Sequence, residues 1–283
     1  MLVTLKEICA AAEEKKIAVG AFNVVNLPAL HAVLDAAEEL ELPVILQFAQ
    51  SHECYASLDD LAPLMVRYAE RAGIPVCAHV DHGADVDYLR RGLDYGCTGV
   101  MFDGSALPYE QNRDETARLA ELAHSYGAGI EAELGSMGVR ESGLGEAEHA
   151  EKVYTDPALA GQFVSETGID ALACSFGTNH GIYLKAPRLD TGIVSAVREI
   201  TGGIPVVMHG GSGVPDEMVR ESIRCGVRKV NYFTYMEKAG AAAIRESILS
   251  GSNRYPIFAD LSILVQDAMK ENAKDAMRTF ALL

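Results

Sequence analysis

Apolar residues along this chain fall into short, nearly continuous runs, separated by longer segments in which apolar positions recur every three or four residues. The runs are IAVGAFNV (17–24), PVILQFA (43–49), PVCAHVDH (75–82), GVMFDGS (99–105), GIEAEL (129–134), DALACSF (170–176), PVVMHGG (205–211) and KVNYFTY (229–235). Such runs predict strands buried on both faces. Three of them open on proline (Pro43, Pro75 and Pro205), at the strand position where a missing N–H is tolerated. Between the runs, residues 27–42 place Leu30, Val33, Leu34 and Ala37 on one face of a helix. Residues 84–96 and 108–127 also read as helices, each closing on a glycine. Strand–helix alternation with buried strands means a parallel sheet covered by helices. Eight such units in about 250 residues predict an α/β fold, a (β/α)8 TIM barrel with an additional C-terminal helix. An open doubly wound sheet is the alternative, made weaker by the absence of a G-x-G-x-x-G. No linker interrupts the pattern, so residues 1–283 are expected to form a single barrel domain. Two connections exceed the usual few residues, 135–155 and 177–189, and long loops in compact domains are functional or disordered.

Composition narrows the partners. The formal charge of −16 over 283 residues would repel nucleic acid and anionic membranes, and an anionic substrate would have to be held by local features. No apolar run approaches the length of a membrane span, and the first twenty residues lack the basic start and apolar stretch of a secretory signal. The six cysteines (Cys9, Cys54, Cys77, Cys97, Cys174, Cys225) are scattered with no C-x-x-C. Neither a disulfide framework nor a cysteine-based zinc site is expected, and the compartment reads as reducing, hence cytoplasmic.

The chemistry collects where the strands end, the face on which barrels of this kind carry their active sites. Strand 1 ends at Asn23, strand 3 at Asp81 and His82, strand 4 at Asp103 and strand 5 at Glu133. His180 follows strand 6, His209 ends strand 7, and strand 8 runs through Asn231 and Thr234. A lone strand-end histidine is more often structural than a ligand. Three of them, each followed by glycine (Gly83, Gly181, Gly210), point to a metal, since a catalytic zinc takes three protein ligands and keeps one position open. His79 alternates inward with Asp81 and is expected behind the ligands, whereas His31, His124 and His149 read as surface residues and His52 finds no place. Consecutive residues of an extended strand face opposite ways, so Asp81 and His82 can share a pocket only if the chain bends; Gly83 is expected to provide the bend. HGGSGVPDEMV (209–219) is a glycine-rich turn at a helix start, an anion cradle of Gly210, Gly211 and Ser212, with Asn231, Thr234 and Lys185 able to add donors. A tight turn with an ordinary cap is the plainer reading of the same residues.

Taken in order, AFNV (21–24), HVDHG (79–83), MFDGS (101–105), EAELG (131–135), GTNHGIY (177–183), HGGSG (209–213) and KVN-x-x-T (229–234) resemble the class II (zinc-dependent) fructose/tagatose-bisphosphate aldolases from about residue 1 to 275. The resemblance implies a barrel that assembles as a homodimer or homotetramer and binds one catalytic Zn²⁺, with a monovalent cation (Na⁺ or K⁺) near the phosphate. It also implies reversible cleavage of a phosphorylated ketose, a ketose 1,6-bisphosphate, into dihydroxyacetone phosphate and an aldehyde. On it, the zinc histidines fall on His82, His180 and His209, with Asp103 and Glu133 close to the metal. The acid/base aspartate falls on Asp81, and the mobile-loop glutamate that takes the C–H proton on Glu141. Phosphate and cation contacts fall on Gly181, Lys185, Gly210, Ser212, Asn231 and Thr234, with Gly211 and Asn23 completing the expected substrate contacts. Three departures concern the aldehyde end. Ala49 stands where Ser or Thr is usual, NYFTY puts Phe233 and Tyr235 where the family has a smaller residue and an acid, and the loop reads GVRESG (138–143). Rival readings are a Schiff-base aldolase using Lys229, a zinc hydrolase (for which an H-x-H pair is expected, not H-x-x-H), and an inactive barrel serving as an accessory subunit of an aldolase complex.

Overall fold

The computed structural model describes residues 1–135, 153–183, 186–250 and 257–283. Eight parallel strands close into a barrel in sequence order: β1 (Val19–Asn23), β2 (Val44–Ala49), β3 (Val76–Gly83), β4 (Gly99–Phe102), β5 (Gly129–Leu134), β6 (Ala171–Cys174), β7 (Val206–Met208) and β8 (Val227–Tyr232), with β8 pairing back to β1. The helices are α1 (Leu5–Lys15), α2 (Leu27–Leu40), α3 (Leu58–Arg71), α4 (Val86–Asp94), α5 (Tyr109–Ser125), α6 (Pro157–Thr167), α7 (Thr191–Ile200), α8 (Asp216–Cys225), α9 (Thr234–Leu249) and α10 (Phe258–Phe280). The expected TIM barrel and its additional C-terminal helix are therefore present. No described helix is long and apolar enough to cross a membrane.

One helix escaped the periodicity. Thr4 and Glu7 form a reciprocal cap that starts α1, Glu7 N–H donating to Thr4 Oγ1 at 3.1 Å and Thr4 N–H to Glu7 Oε2 at 2.8 Å. Its face of Leu5, Ile8, Cys9 and Ala12 is fully buried against inward residues of the strands, among them Ala21, Ile45, Cys77 and Met101. A Cβ on Gly99 or Gly129, the first residues of β4 and β5, would stand 3.1 and 3.0 Å from Leu5 Cβ. Helix α1 thus plugs the N-terminal mouth, and polar chemistry is confined to the other end. At the far end of the chain α10 packs on α2 and α9, and Ala18 N–H donates to Phe280 O at 3.0 Å.

Strand 8 is shorter than its sequence suggested. It stops at Tyr232, and Thr234 and Tyr235 belong to the first turn of α9. The apolar-aromatic run continued past the strand because Phe233 is half-buried by a different contact. Its N–H leaves the sheet ladder and donates to Ser212 Oγ at 3.0 Å, tying β8 to the turn after β7.

Candidate active site and metal centre

The two residues that end β3 share a pocket because of a bend, but the bend is at His82. His82 takes a left-handed conformation (φ 47°), and the β3–β4 register slips between Val80 and Gly83. A non-glycine residue held there stores on the order of 1 kcal/mol of strain or more. Gly83 serves another purpose: a Cβ would lie 2.4 Å from Leu89 Cδ2, so it lets α4 approach the strand. With the slip, Asp81 and His82 both line a cavity of 820 Å³ at the C-terminal mouth, together with His180, Gly181, Gly210 and Asn231.

The three strand-end histidines converge. His82 lies with its ring centroid 4.9 Å from His180 and 4.5 Å from His209, and the latter two are 5.8 Å apart. One ligand atom from each falls within 4.8 Å of the others, and His82, Asp103 and Glu133 form an overlapping group of the same kind. His180 Nε2 and His209 Nδ1 are buried with no hydrogen-bond partner. Two orphaned imidazole nitrogens in one cluster of histidines are costly unless something binds them. The opposite nitrogens are already committed. His209 Nε2–H donates to Glu131 Oε1 at 2.8 Å, leaving the Nδ1 lone pair free, and His82 Nδ1 meets Asp103 Oδ2 at 2.9 Å. Carboxylate–histidine pairs of this kind fix the ligand nitrogen of metal-binding histidines. Asp103 is itself anchored by Ser105, whose Oγ donates at 2.6 Å.

Electrostatics agree with a cation site. Burial drives His180 and His209 toward the neutral form that ligates metals. Burial also opposes a charge on His82, but Asp81, the Asp103 hydrogen bond and Glu133 outweigh it and push His82 up to about 9. Those carboxylates demand positive charge at that point, which a proton or a divalent ion can supply. The donor set fits zinc.

Asp81 is clamped by amides. Asn23 Nδ2 donates to Oδ2 at 3.0 Å, Gln47 Nε2 to the same oxygen at 3.3 Å, and Asn231 Nδ2 to Oδ1 at 3.2 Å. Burial alone would raise its pKa, yet His82, Lys229 and His209 hold the carboxyl well below the usual range. Lys229 is fully buried and is not poised as a nucleophile. Its Nζ pairs with Glu131 Oε2 at 2.9 Å and donates to Asn231 Oδ1 at 2.7 Å. A continuous path therefore runs from His209 through Glu131, Lys229 and Asn231 to Asp81. His79, also fully buried, lies 3.8 Å from Glu131 Oε2 and is pushed down to about 3, chiefly by burial.

On the opposite wall the backbone dominates. Gly210 (φ 64°) would put a Cβ 2.1 Å from Asn179 O, so the 209–213 turn and the 177–181 loop touch main chain to main chain. Tyr183 OH joins them, donating to Gly210 O at 2.9 Å and accepting Asn179 N–H at 2.8 Å. Gly211 N–H donates to Asn231 O at 3.1 Å, so Gly211 shapes the turn and offers no free donor. Ser212 accepts from Phe233 and keeps its own O–H to donate, and Ser212 and Thr234 both line the cavity. Glu133 lies near the metal group, with Oε2 3.6 Å from His209 Nδ1.

Other residues depart from expectation. Tyr235 does not wall the pocket: a Cβ on Gly213 would meet its ring at 2.6 Å, which places the ring behind the glycine turn. Phe233 does line the cavity and stacks on His52, centroids 4.4 Å apart. His31 is half-buried against Tyr68 OH at 2.9 Å, whereas His124 is exposed as expected and reaches Asp170 at 2.9 Å. Glu141, Lys185 and His149 lie outside the described residues. Sequence reasoning gave no role to Gln47 or Glu131, and it offered Lys229 only as the nucleophile of a rival Schiff-base reading. The signal available was the spacing of Glu131 and Glu133, two acids on the inward face of one strand.

Comparison with known proteins gives these groups a context. The family model described as fructose-bisphosphate aldolase class-II matches residues 3–282. A probable fructose-bisphosphate aldolase of Bacillus subtilis is 36% identical over 284 residues, covering 99% of this chain and 97% of its own. A fructose-bisphosphate aldolase of Geobacillus stearothermophilus is 36% identical over 286 residues, covering 99% and 96%. The crystal structure of the YdjI aldolase from Escherichia coli K12 superposes with a TM-score of 0.87 at 32% identity, covering 99% of this chain and 97% of that one. From the closed barrel, the convergent histidines and matches that span nearly the whole sequence, it follows that this chain belongs to the class-II fructose-bisphosphate aldolase family.

Proposed function

We propose that this chain is a zinc-dependent aldolase that reversibly cleaves a ketose 1,6-bisphosphate of the fructose or tagatose type, or a related ketose 1-phosphate, to dihydroxyacetone phosphate and an aldehyde. The observation that carries the reading is the pair of orphaned nitrogens, His180 Nε2 and His209 Nδ1, facing His82 beside an amide-clamped Asp81. His82, His180 and His209 would hold the ion, with Asp103 and Glu133 adjacent. When bound, a divalent cation supplies Lewis-acid polarisation of the donor carbonyl.

The chain's own groups do the rest. Asp81, kept ionised by its surroundings, takes the proton from the hydroxyl of the carbon that becomes the aldehyde, and returns it in the aldol direction. Asn23, Gln47 and Asn231 orient that carboxylate. Glu141 is assigned the C–H proton beside the donor carbonyl. Gly181, Gly210, Ser212, Asn231, Thr234 and Lys185 hold the 1-phosphate, where a monovalent cation (Na⁺ or K⁺) would offset part of its charge. Apolar side chains at the end of α9 and the start of α10, Leu249, Phe258 and Ile263, are 73%, 82% and 62% exposed and support a homodimer or homotetramer. Free thiols at all six cysteines fit a cytoplasmic setting.

Metal analysis of the purified protein, joined to a coupled assay on fructose and tagatose 1,6-bisphosphates and ketose 1-phosphates, tests this. About one zinc per chain is expected, with activity lost on chelation and restored by zinc. Full activity after exhaustive chelation, or borohydride trapping at Lys229, sinks the metal mechanism.

A further inference from the structure

We infer that His52 and Phe233 wall the place where the aldehyde half of the substrate sits, and that this wall selects an uncharged hydroxyaldehyde over a phosphorylated one. The inference rests on the aldolase reading above and chooses among its substrates: the ketose would be a 1-phosphate with an unphosphorylated far end.

Position comes first. The phosphate-holding groups belong to the turn after β7 and to the end of β8, and Asp81 acts at the carbon that becomes the aldehyde. Ala49 is the Cα partner of Asp81 across β2 and β3, and the 3₁₀ turn Gln50–His52 follows at once. His52 lines the same cavity as Asp81 and His82. Phe233 crosses from β8 to meet it, ring on ring at 4.4 Å and 34°, and Tyr55 flanks it at 5.8 Å. These side chains line the same cavity as the metal group.

The chemistry of this wall is neutral and unsatisfied. His52 Nδ1 is buried with no hydrogen-bond partner, and burial drives the ring toward its uncharged form. Glu237 adds a second buried oxygen without a partner, Oε1, on the same cavity. Among the described residues that line it, Lys238 carries the one ammonium, and its Nζ sits 4.6 Å over the Tyr235 ring. A second phosphate dianion in this cavity would meet Asp81 and Glu237, and no guanidinium among the described lining residues pairs it. Hydroxyls suit the site better. They can satisfy His52 Nδ1 and Glu237 Oε1, while the C–H face of a hydroxylated chain lies against the Phe233 and Tyr55 rings. A site built to hydrogen-bond a hydroxyl also discriminates against analogues that lack it, because its own buried groups are then left unpaired.

The test is made on the zinc-loaded enzyme in the aldol direction. Dihydroxyacetone phosphate is supplied with glyceraldehyde, glyceraldehyde 3-phosphate or propanal, and hydrogen exchange on dihydroxyacetone phosphate alone is measured as the check on the first half-reaction. The expected result is a kcat/KM for glyceraldehyde at least tenfold above both other aldehydes. His52→Phe keeps the stack and deletes the nitrogen, and should lower the glyceraldehyde-to-propanal ratio about fivefold, the loss of one neutral hydrogen bond. His52→Arg should shift preference toward glyceraldehyde 3-phosphate. Normal exchange with glyceraldehyde 3-phosphate preferred tenfold, or an unchanged ratio in His52→Phe, overturns the inference and leaves the aldolase reading standing. No exchange at all refutes both.

Discussion

Replacing Lys229 by methionine isolates the group on which the inner network turns. Lys229 and Glu131 are both fully buried, and the ion pair between them is 2.9 Å long. Burial would raise the Glu131 pKa above its ordinary 4.5, but Lys229 first, then His209 and His79, bring it down to about 2. That depression corresponds to about 3 kcal/mol of stability at neutral pH. Deleting one partner of a buried pair costs a similar ~3–5 kcal/mol, because the remaining charge is stranded. Lys229→Met should therefore destabilise the metal-free protein by about 3–5 kcal/mol at pH 7, and lower Tm by roughly 5–8 °C. The sign of the pH dependence follows. Because its folded pKa lies below its unfolded one, Glu131 contributes stability above pH 4.5 that is lost as pH falls toward 2. The gap between variant and wild type should thus be widest above about pH 5 and close toward pH 2. Adding Glu131→Gln should recover most of the loss, since a neutral pair strands nothing. Urea unfolding followed by circular dichroism at several pH values reads all three quantities. A loss below about 1 kcal/mol, independent of pH, would falsify the claim that this ammonium holds Glu131 ionised.

Three further outcomes are expected. His180→Gln should reduce bound zinc from about one per chain to below about a tenth, measured by elemental analysis, with an unchanged far-UV spectrum; retained stoichiometry removes His180 from the ligand set. Asp81→Asn, which keeps the shape and removes the charge, should block carbon–carbon cleavage yet leave hydrogen exchange on dihydroxyacetone phosphate measurable; loss of both would place Asp81 in the first proton transfer instead. Gly83→Ala should cost about 1–3 kcal/mol through the 2.4 Å clash with Leu89, and Leu89→Ala in the same chain should remove most of that cost; no relief would mean that Gly83 serves the bend after all.

Much of the fold was legible because its signals are repeated. Apolar runs entered by Pro43, Pro75 and Pro205 marked the strands, and the additional C-terminal helix stands as expected in α10. The errors fall where one residue answers to something outside its own element. Phe233 looked like more strand because it is apolar, but it stacks half-buried on His52 and leaves the ladder for Ser212. Helix α1 was missed although Thr4 and Glu7 spell a cap, because a plug has no partner in the strand–helix alternation. The bend at His82 could not be read, since a neighbouring glycine is the obvious candidate and only the register slip reveals the residue that takes it. Strand-end histidines were visible one by one, and convergence followed from the barrel. Glu131 was not, and Lys229 was read only as a rival nucleophile, because a charged residue inside a strand acquires meaning only from the strand that faces it.

The two halves of the site are joined by charge. Asp81, Asp103, Glu131 and Glu133 are all buried, and among the described residues Lys229 is the single buried ammonium beside them. With all four ionised, three negative charges remain uncompensated, a state that low-dielectric surroundings do not sustain. Protonated histidines could offset part of it, and His82 is pushed that way. But His180 and His209 are driven neutral, so protons cannot complete the balance at the point where their free nitrogens meet. His180 and His209 would hold a dication at that point, which would satisfy both orphaned nitrogens and offset two of the three charges at once. The bend at His82 is what makes this arrangement consistent with an ionised Asp81. It turns consecutive residues to one cavity, the imidazole toward His180 and His209 and the carboxylate into the amides of Asn23, Gln47 and Asn231. The same short stretch of β3 can then supply a metal ligand and, one residue earlier, a base kept off the metal by hydrogen bonds.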